Sequence, residues 1–240
     1  MEVFTIEIQA EEIALDKGII AELAGVNPEN IPEPYNSIIL RELDQTVNYN
    51  NIRGGFVISE NIHLLPDEGV FKFNDLVFNA GSKIVNYLAG SEKLAFFACT
   101  AGEEVTLRSR QLMKTGYMVE GYIVDSIGSL LVEGAADIVM EKLKNEIDPE
   151  GLNITNRYSP GHCDWRLDQQ KKLFSLFPEE FCGIRLSESS LMIPLKSLSG
   201  VIGIGTEVNL NGFLCDECDL MNCIYREVYT LRRSRYSSNK

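Results

Sequence analysis

A long helical pattern runs from Val119 to Leu143, with Ile123, Ile127, Leu130, Leu131, Ile138 and Leu143 as its apolar surface. Gly121, Gly128 and Gly134 interrupt it. In an exposed helix each glycine costs about 1 kcal/mol relative to alanine. Three of them make sense where other elements pack closely against the helix. The continuous apolar run Leu94-Ala95-Phe96-Phe97-Ala98-Cys99-Thr100 suits a fully buried strand. A second helical pattern, Glu103 to Met113, follows it.

The remaining elements read in order. Val3, Phe4, Ile6 and Ile8 alternate with polar residues as an opening strand, not as a signal peptide. Glu11 to Leu23 and Ser37 to Gln45 read as helices. Phe56–Ile58 and Ile62–Leu65 read as a strand pair, Phe71–Phe73 as a short strand, and Asn79 to Leu88 as a helix. Asp148-Pro149-Glu150-Gly151 ends the long helix. Leu167 to Phe177 reads as a helix, Ile184–Leu186 and Leu191–Pro194 as short strands, and Ser197–Gly205 as a strand of small and apolar residues.

Charge limits the function. The chain has 240 residues and a net charge of −13, without the clustered Lys and Arg that a nucleic-acid or anionic-membrane surface needs. No apolar run reaches the length of a membrane span, and a cytoplasmic address is expected. Two histidines, His63 and His162, and no nucleophile elbow argue against an independent hydrolase. His63 lies in an apolar strand pattern and reads as structural.

Three places can carry chemistry. The first is Arg157-Tyr158-Ser159-Pro160-Gly161-His162-Cys163-Asp164-Trp165. Arg157 offers a planar donor fork for a carboxylate, and Gly161 permits φ > 0 and close approach of a ligand. The bland reading is a turn with Trp165, the sole tryptophan, as a core plug. The second is Glu133, with no other charge from Ser126 to Ala136. Spacing alone reads it as a solvent-facing carboxylate beside Leu130; its apolar company suits a paired or ligand-holding one. The third is Cys215-x-x-Cys218 followed by Cys223. Three thiolates at that spacing suit zinc or an iron–sulfur cluster, with Cys163, Cys182 or His162 as a fourth ligand. Reduced thiols and a redox dithiol are the alternatives. Gly203-Ile204-Gly205 lacks the third glycine and following helix of a nucleotide fingerprint.

The series Arg157-Tyr158-Ser159-Pro160-Gly161, then Arg185-Leu186-Ser187-Glu188-Ser189, then Leu198-Ser199-Gly200 resembles the activation (reactivation) domain of vitamin-B12-dependent methionine synthase. That family shows an Arg-x-x-x-Gly-Tyr loop, an Arg-Leu-Thr-Glu-Ser segment and a Ser-Gly strand in this order. Val132-Glu133-Gly134-Ala135-Ala136-Asp137 resembles its Ala-Glu-Ala-Phe-Ala-Glu helix, and the cysteine segment is similar to the tail of stand-alone members. The likeness spans roughly residues 95 to 205. It divides the chain into an N-terminal α/β segment (1–92), an activation-domain-like core (93–214) and a cysteine-containing tail (215–240).

The resemblance implies an α+β fold with a bent antiparallel sheet and flanking helices. It implies a component of a methyltransferase system in methionine biosynthesis that binds S-adenosylmethionine. The methyl group, with one electron from a flavodoxin-like donor, restores methylcobalamin from Co(II) on a partner corrinoid protein. Carried over by position, Glu133 holds the amino group of S-adenosylmethionine and Arg157 its carboxylate. Ser159, Pro160 and Gly161 line the adenosine side, with His162, Ile202 and Gly203 adjoining. His162 stands where the family has tyrosine, and Ile202 where it has an aromatic residue. A metal or iron–sulfur redox accessory using Cys215, Cys218 and Cys223, and a non-catalytic corrinoid-protein partner, are the alternatives.

Overall fold

The structure, a computed structural model, describes residues 2–210. In chain order it contains β1 (Glu2–Ile8), α1 (Lys17–Leu23), α2 (Tyr35–Asp44), β2 (Ile52–Ser59), β3 (Ile62–Leu65), β4 (Val70–Phe73), β5 (Leu76–Asn79) and α3 (Ser82–Tyr87). Then come β6 (Lys93–Thr100), α4 (Glu104–Lys114), α5 (Met118–Ile147), β7 (Asn153–Tyr158), α6 (Gln170–Phe174), β8 (Arg185–Leu186), β9 (Met192–Ile193) and β10 (Ser197–Gly205).

The central sheet has the strand order β1-β2-β6-β10-β7, with every neighbouring pair antiparallel. The apolar run of β6 is explained by burial on both sides. Ala95, Phe97 and Cys99 face a core shared with α1, α2, α4 and α5. Leu94, Phe96 and Ala98 face a second core shared with the β3–β5 meander, α3 and Trp165. Alternate side chains of one strand thus serve two cores. Trp165 is 1% exposed and meets Phe71 edge-on at 5.7 Å. The core-plug reading of that residue describes its place.

The glycines of α5 sit where neighbours press closest. A Cβ on Gly121 would lie 2.9 Å from the Ser109 carbonyl oxygen of α4, and one on Gly128 would lie 2.9 Å from a Val105 methyl. A Cβ on Gly134 would overlap Ile13, which precedes α1. The helix therefore approaches its partners more closely than alanine permits.

Several expectations need correction. Glu11 to Leu23 is not one helix. A short 3₁₀ turn (Ala10–Glu12) is followed by α1, whose start is fixed by Asp16 Oδ1 accepting from the Gly18 N–H at 2.6 Å and the Ile19 N–H at 3.1 Å. β2 does not pair with β3; it lies between β1 and β6, while β3 pairs with β4. Asn79 ends a strand, and Gly81 at φ 83° redirects the chain into α3. The Leu167–Phe177 helix is reduced to a 3₁₀ turn (Leu167–Gln169) and α6. His63 sits in β3 but faces solvent. The boundary expected at residue 92 falls between α3 and β6, and β2 of the N-terminal part is a sheet neighbour of β6.

Candidate functional site

Arg157 does not lie in a loop; it is the penultimate residue of β7, an edge strand of the sheet among the described residues. The register between β7 and β10 explains where its side chain goes. Ile204 is opposite Ile154 and Ile202 is opposite Arg157, so Gly203 faces two residues, Thr155 and Asn156. This is a bulge, which inverts the alternation of the strand beyond it. Ile154 and Arg157 therefore point to the same side, towards α5. The Gly203 N–H donates to Thr155 Oγ1 at 2.8 Å, a side-chain substitute for a ladder bond at the bulge.

On α5, Glu133 and Asp137 are one turn apart and share a face. Arg157 Nη2 donates to Glu133 Oε2 at 2.6 Å and Nη1 donates to Asp137 Oδ1 at 2.7 Å. The same Nη1 lies 3.3 Å from Met140 Sδ. The Arg157 and Glu133 side chains are 16% and 22% exposed, so the pair is shielded from bulk water on most sides. The solvent-facing reading of Glu133 is thereby corrected: it is paired across 24 residues of sequence. Asp137 was missed as a partner, although its four-residue offset from Glu133 was a usable signal.

After Tyr158 the chain turns sharply. The Gly161 N–H donates to the Trp165 carbonyl at 2.7 Å and the His162 N–H to the Ser159 carbonyl at 3.1 Å. Gly161 takes φ 99°, the left-handed side that its sequence allows. Ser159 is half-buried, Pro160 buried, and Gly161 exposed. Because both N–H groups close the turn on itself, this loop offers a ligand shape and contact surface more than donors.

His162 is exposed at its outer surface and stands close enough to Glu133 and Arg157 to feel both charges. Burial of its inner side pushes the imidazole below the ordinary histidine range; Glu133 acts against this and Arg157 adds to it. The neutral ring is therefore favoured in the fold. Its contribution to stability is present above the unfolded pKa, about 6.5, and is lost as pH falls below it towards the folded value. The proton NMR titration of His162 is expected to have a midpoint below that of a free histidine. Glu133→Gln should lower the midpoint further, since it removes the one opposing charge. A midpoint that rises in Glu133→Gln would separate the two residues.

The other expected site residues are placed differently. Ile202 is 0% exposed and packs on the α5 side of the sheet, behind Arg157 on the neighbouring strand. Gly203 is buried, with Ser91 and Thr155 occupying the space a side chain would need. The structure thus brings together Glu133, Arg157, His162 and the 159–161 loop, and it keeps Ile202 and Gly203 inside. Cys215, Cys218 and Cys223 lie outside the described residues. Among the described residues no group of His, Cys, Asp or Glu is arranged to hold a metal. Cys99 is buried and its thiol is pushed far up by burial; burial likewise raises Cys182 to about 12. Both are neutral thiols at physiological pH and poor nucleophiles. No described helix is long and apolar enough to cross a membrane.

No family model matches the sequence, and no curated protein matches it. Among solved structures, the chain is similar to the MetH reactivation domain, crystallised bound to AdoHcy. The TM-score is 0.61 at 14% identity, over 85% of this chain and 78% of that one. The chain therefore has the α+β fold of the MetH reactivation domain, with antiparallel sheets and packed helices.

Proposed function

We propose that this chain binds S-adenosylmethionine at Glu133 and Arg157 and serves in the reductive methylation of a corrinoid cofactor carried by a partner protein. The observation that carries this reading is the Glu133–Arg157 pair at 2.6 Å, set beside a preformed loop on an edge strand. A carboxylate facing a guanidinium is the charge complement of an amino-acid zwitterion. The ligand ammonium replaces the guanidinium on Glu133, and the ligand carboxylate replaces Glu133 on Arg157. Neither protein charge is left unpaired by that exchange, which keeps its desolvation cost low. Asp137 continues to hold the other terminal nitrogen of Arg157. Ser159, Pro160 and Gly161 form the wall for the adenosine, and His162, uncharged at neutral pH, closes its end without adding a second cation. Bound S-adenosylmethionine supplies the methyl group; the electron comes from a separate donor of flavodoxin type. Support for the reading comes from the neighbour of like fold that was crystallised with AdoHcy.

The test is calorimetric titration of S-adenosylmethionine into wild type, Glu133→Ala and Arg157→Ala. Saturable binding is expected in the wild type. Each variant should weaken it by roughly thirtyfold, about 2 kcal/mol for truncating one member of a shielded charge contact. A second reading is favoured by the fact that Arg157 is already held by both Glu133 and Asp137. In that reading the triad only ties β7 to α5, and the chain is a non-catalytic corrinoid-protein partner. A folded wild type that shows no saturable binding would remove the first reading; the second then requires that the chain bind a corrinoid protein with Arg157→Ala as tightly as wild type.

A further inference from the structure

The polar face of α5 continues past Glu133. Ser129 and Asp125 follow at four-residue steps towards the helix N-terminus, about 6 and 12 Å along the axis. There they meet a second cation. Lys196 Nζ donates to Asp125 Oδ2 at 2.9 Å and to Ser129 Oγ at 2.9 Å. Lys196 is itself anchored: its carbonyl accepts from the Ala101 N–H at 2.8 Å and from Thr100 Oγ1 at 3.2 Å, and its stem lies over Gly128. The Lys196 side chain is 17% exposed and that of Asp125 45%. Asp125 Oδ1 makes no hydrogen bond or ion pair among the described residues. An anchored cation thus fixes a carboxylate that keeps one oxygen unengaged. Between this pair and Arg157 the sheet leaves a gap on the α5 side. β7 ends at Tyr158, opposite Val201, so among the described residues no strand flanks Leu198 there. Leu198 faces α5, since it stands opposite Cys99, whose thiol donates to the Val132 carbonyl at 3.7 Å. It is the one residue of β10 that is not buried. Ser159 Oγ lies over Gly200 on the same side. Leu198 therefore floors the space between α5 and the Ser159–Gly161 turn.

We propose that Asp125 accepts the ribose hydroxyls of S-adenosylmethionine and that Lys196 is the residue that positions it. This rests on the reading of Glu133 and Arg157 as the holders of the amino-acid end. The reach fits. The 12 Å between Glu133 and Asp125, less two hydrogen bonds of about 3 Å each, leaves roughly 6 Å. The extended chain from the ammonium through the sulfonium to the ribose spans that distance. The chemistry fits as well. A vicinal diol brings two O–H donors, and an ionised carboxylate only accepts, each oxygen taking more than one bond. The ammonium of Lys196 cannot hold a diol by its donors, because Asp125 and Ser129 already take them. Its positive charge neutralises Asp125 from below, so the carboxylate is oriented without adding net charge to the groove. Leu198 gives the ribose carbons an apolar floor. Two ion pairs along one helix face thus read the two ends of one ligand: Arg157 with Glu133 the zwitterion, Lys196 with Asp125 the sugar.

The experiment is matched calorimetric titration of S-adenosylmethionine and of its 2′,3′-dideoxyribose analogue into the full chain, as wild type, Asp125→Ala and Lys196→Met. Wild type should bind the diol ligand about tenfold more tightly than the analogue, as for hydrogen bonds to a half-exposed carboxylate. Asp125→Ala should lose that preference and bind both ligands with the affinity that wild type shows for the analogue. Lys196→Met should keep part of the preference, since the carboxylate remains but is no longer oriented. A variant that merely loosened the fold would weaken both ligands equally and keep the tenfold ratio. That ratio in Asp125→Ala, with saturable binding, would overturn this inference alone. So would a wild type that binds the two ligands alike. No saturable binding of either ligand by folded wild type would remove the S-adenosylmethionine reading and this inference with it.

Discussion

Arg108→Ala is expected to destabilise the chain by about 2–3 kcal/mol at neutral pH, below most of the range for a fully buried ion pair that loses one member, because Arg108 is itself 36% exposed and Arg41 stays on Glu42. Glu42, on α2, is 0% exposed. Arg108 reaches it from α4, with Nε donating at 2.7 Å to one carboxylate oxygen and Nη2 at 3.0 Å to the other. Arg41 adds a contact at 3.0 Å, but its side chain is mostly in solvent and cannot cover both oxygens. Burial alone would raise the Glu42 carboxyl; the bonds from Arg108 and Arg41 outweigh it and hold the group below the ordinary carboxylate range. A carboxyl that is the stronger acid when folded stabilises the fold above its unfolded pKa, about 4.3, and loses that contribution as pH falls through the folded value. In Arg108→Ala most of the hydrogen bonding that holds the carboxyl down is lost, so acid unfolding should begin at a higher pH. Urea unfolding at pH 7 and near pH 4 measures both effects. A variant as stable as wild type at pH 7 would mean that Arg41 alone carries the pair. Replacing both residues by apolar ones of similar volume should restore much of the loss.

What the sequence could and could not say follows from the range of the forces involved. The α5 glycines and the β6 apolar run are statements about local composition, and both lead directly to close packing and two-sided burial. Glu133 is harder. Its spacing alone favoured solvent, and only the arrival of Arg157 from a strand 24 residues on makes a part-buried carboxylate affordable. That arrival depends on the bulge at Thr155 and Asn156, which exists only in register with β10 and has no signature in Asn153–Tyr158 alone. The same polar residues concealed β7 itself. Ile202 and Gly203 were placed in the site by family likeness. Their burial comes from sheet pairing on both sides of β10, which no reading of that segment alone supplies. Glu42 gave no signal at all, since its partner lies 66 residues away.

Gly200→Ala should cost on the order of 3 kcal/mol and remove binding at the Arg157 site along with it. Gly200 lies opposite Phe97 on β6, and on its other side the chain leaving β7 folds across it. A Cβ there would fall on the Tyr158 carbonyl oxygen, 2.9 Å from the Phe97 ring and 3.0 Å from Ser159 Oγ. The first obstacle is backbone, so it cannot be relieved by a rotamer change. It yields only if Tyr158 and Ser159 lift away, and that moves Pro160 and Gly161 relative to Arg157. Gly128→Ala is the matching comparison. Its Cβ would press on side chains alone, the buried Val105 methyls at 2.9 and 3.2 Å and Lys196 Cγ at 3.2 Å, and helix propensity returns up to about 1 kcal/mol of that cost. The first variant should therefore lower the urea midpoint sharply and abolish S-adenosylmethionine heat, while the second lowers the midpoint less and leaves the heat in place. If Gly200→Ala unfolds like wild type yet loses only ligand binding, the loop has moved without strain, and Gly200 sets the site rather than the sheet. If it keeps both, the loop crosses β10 less closely than this geometry requires.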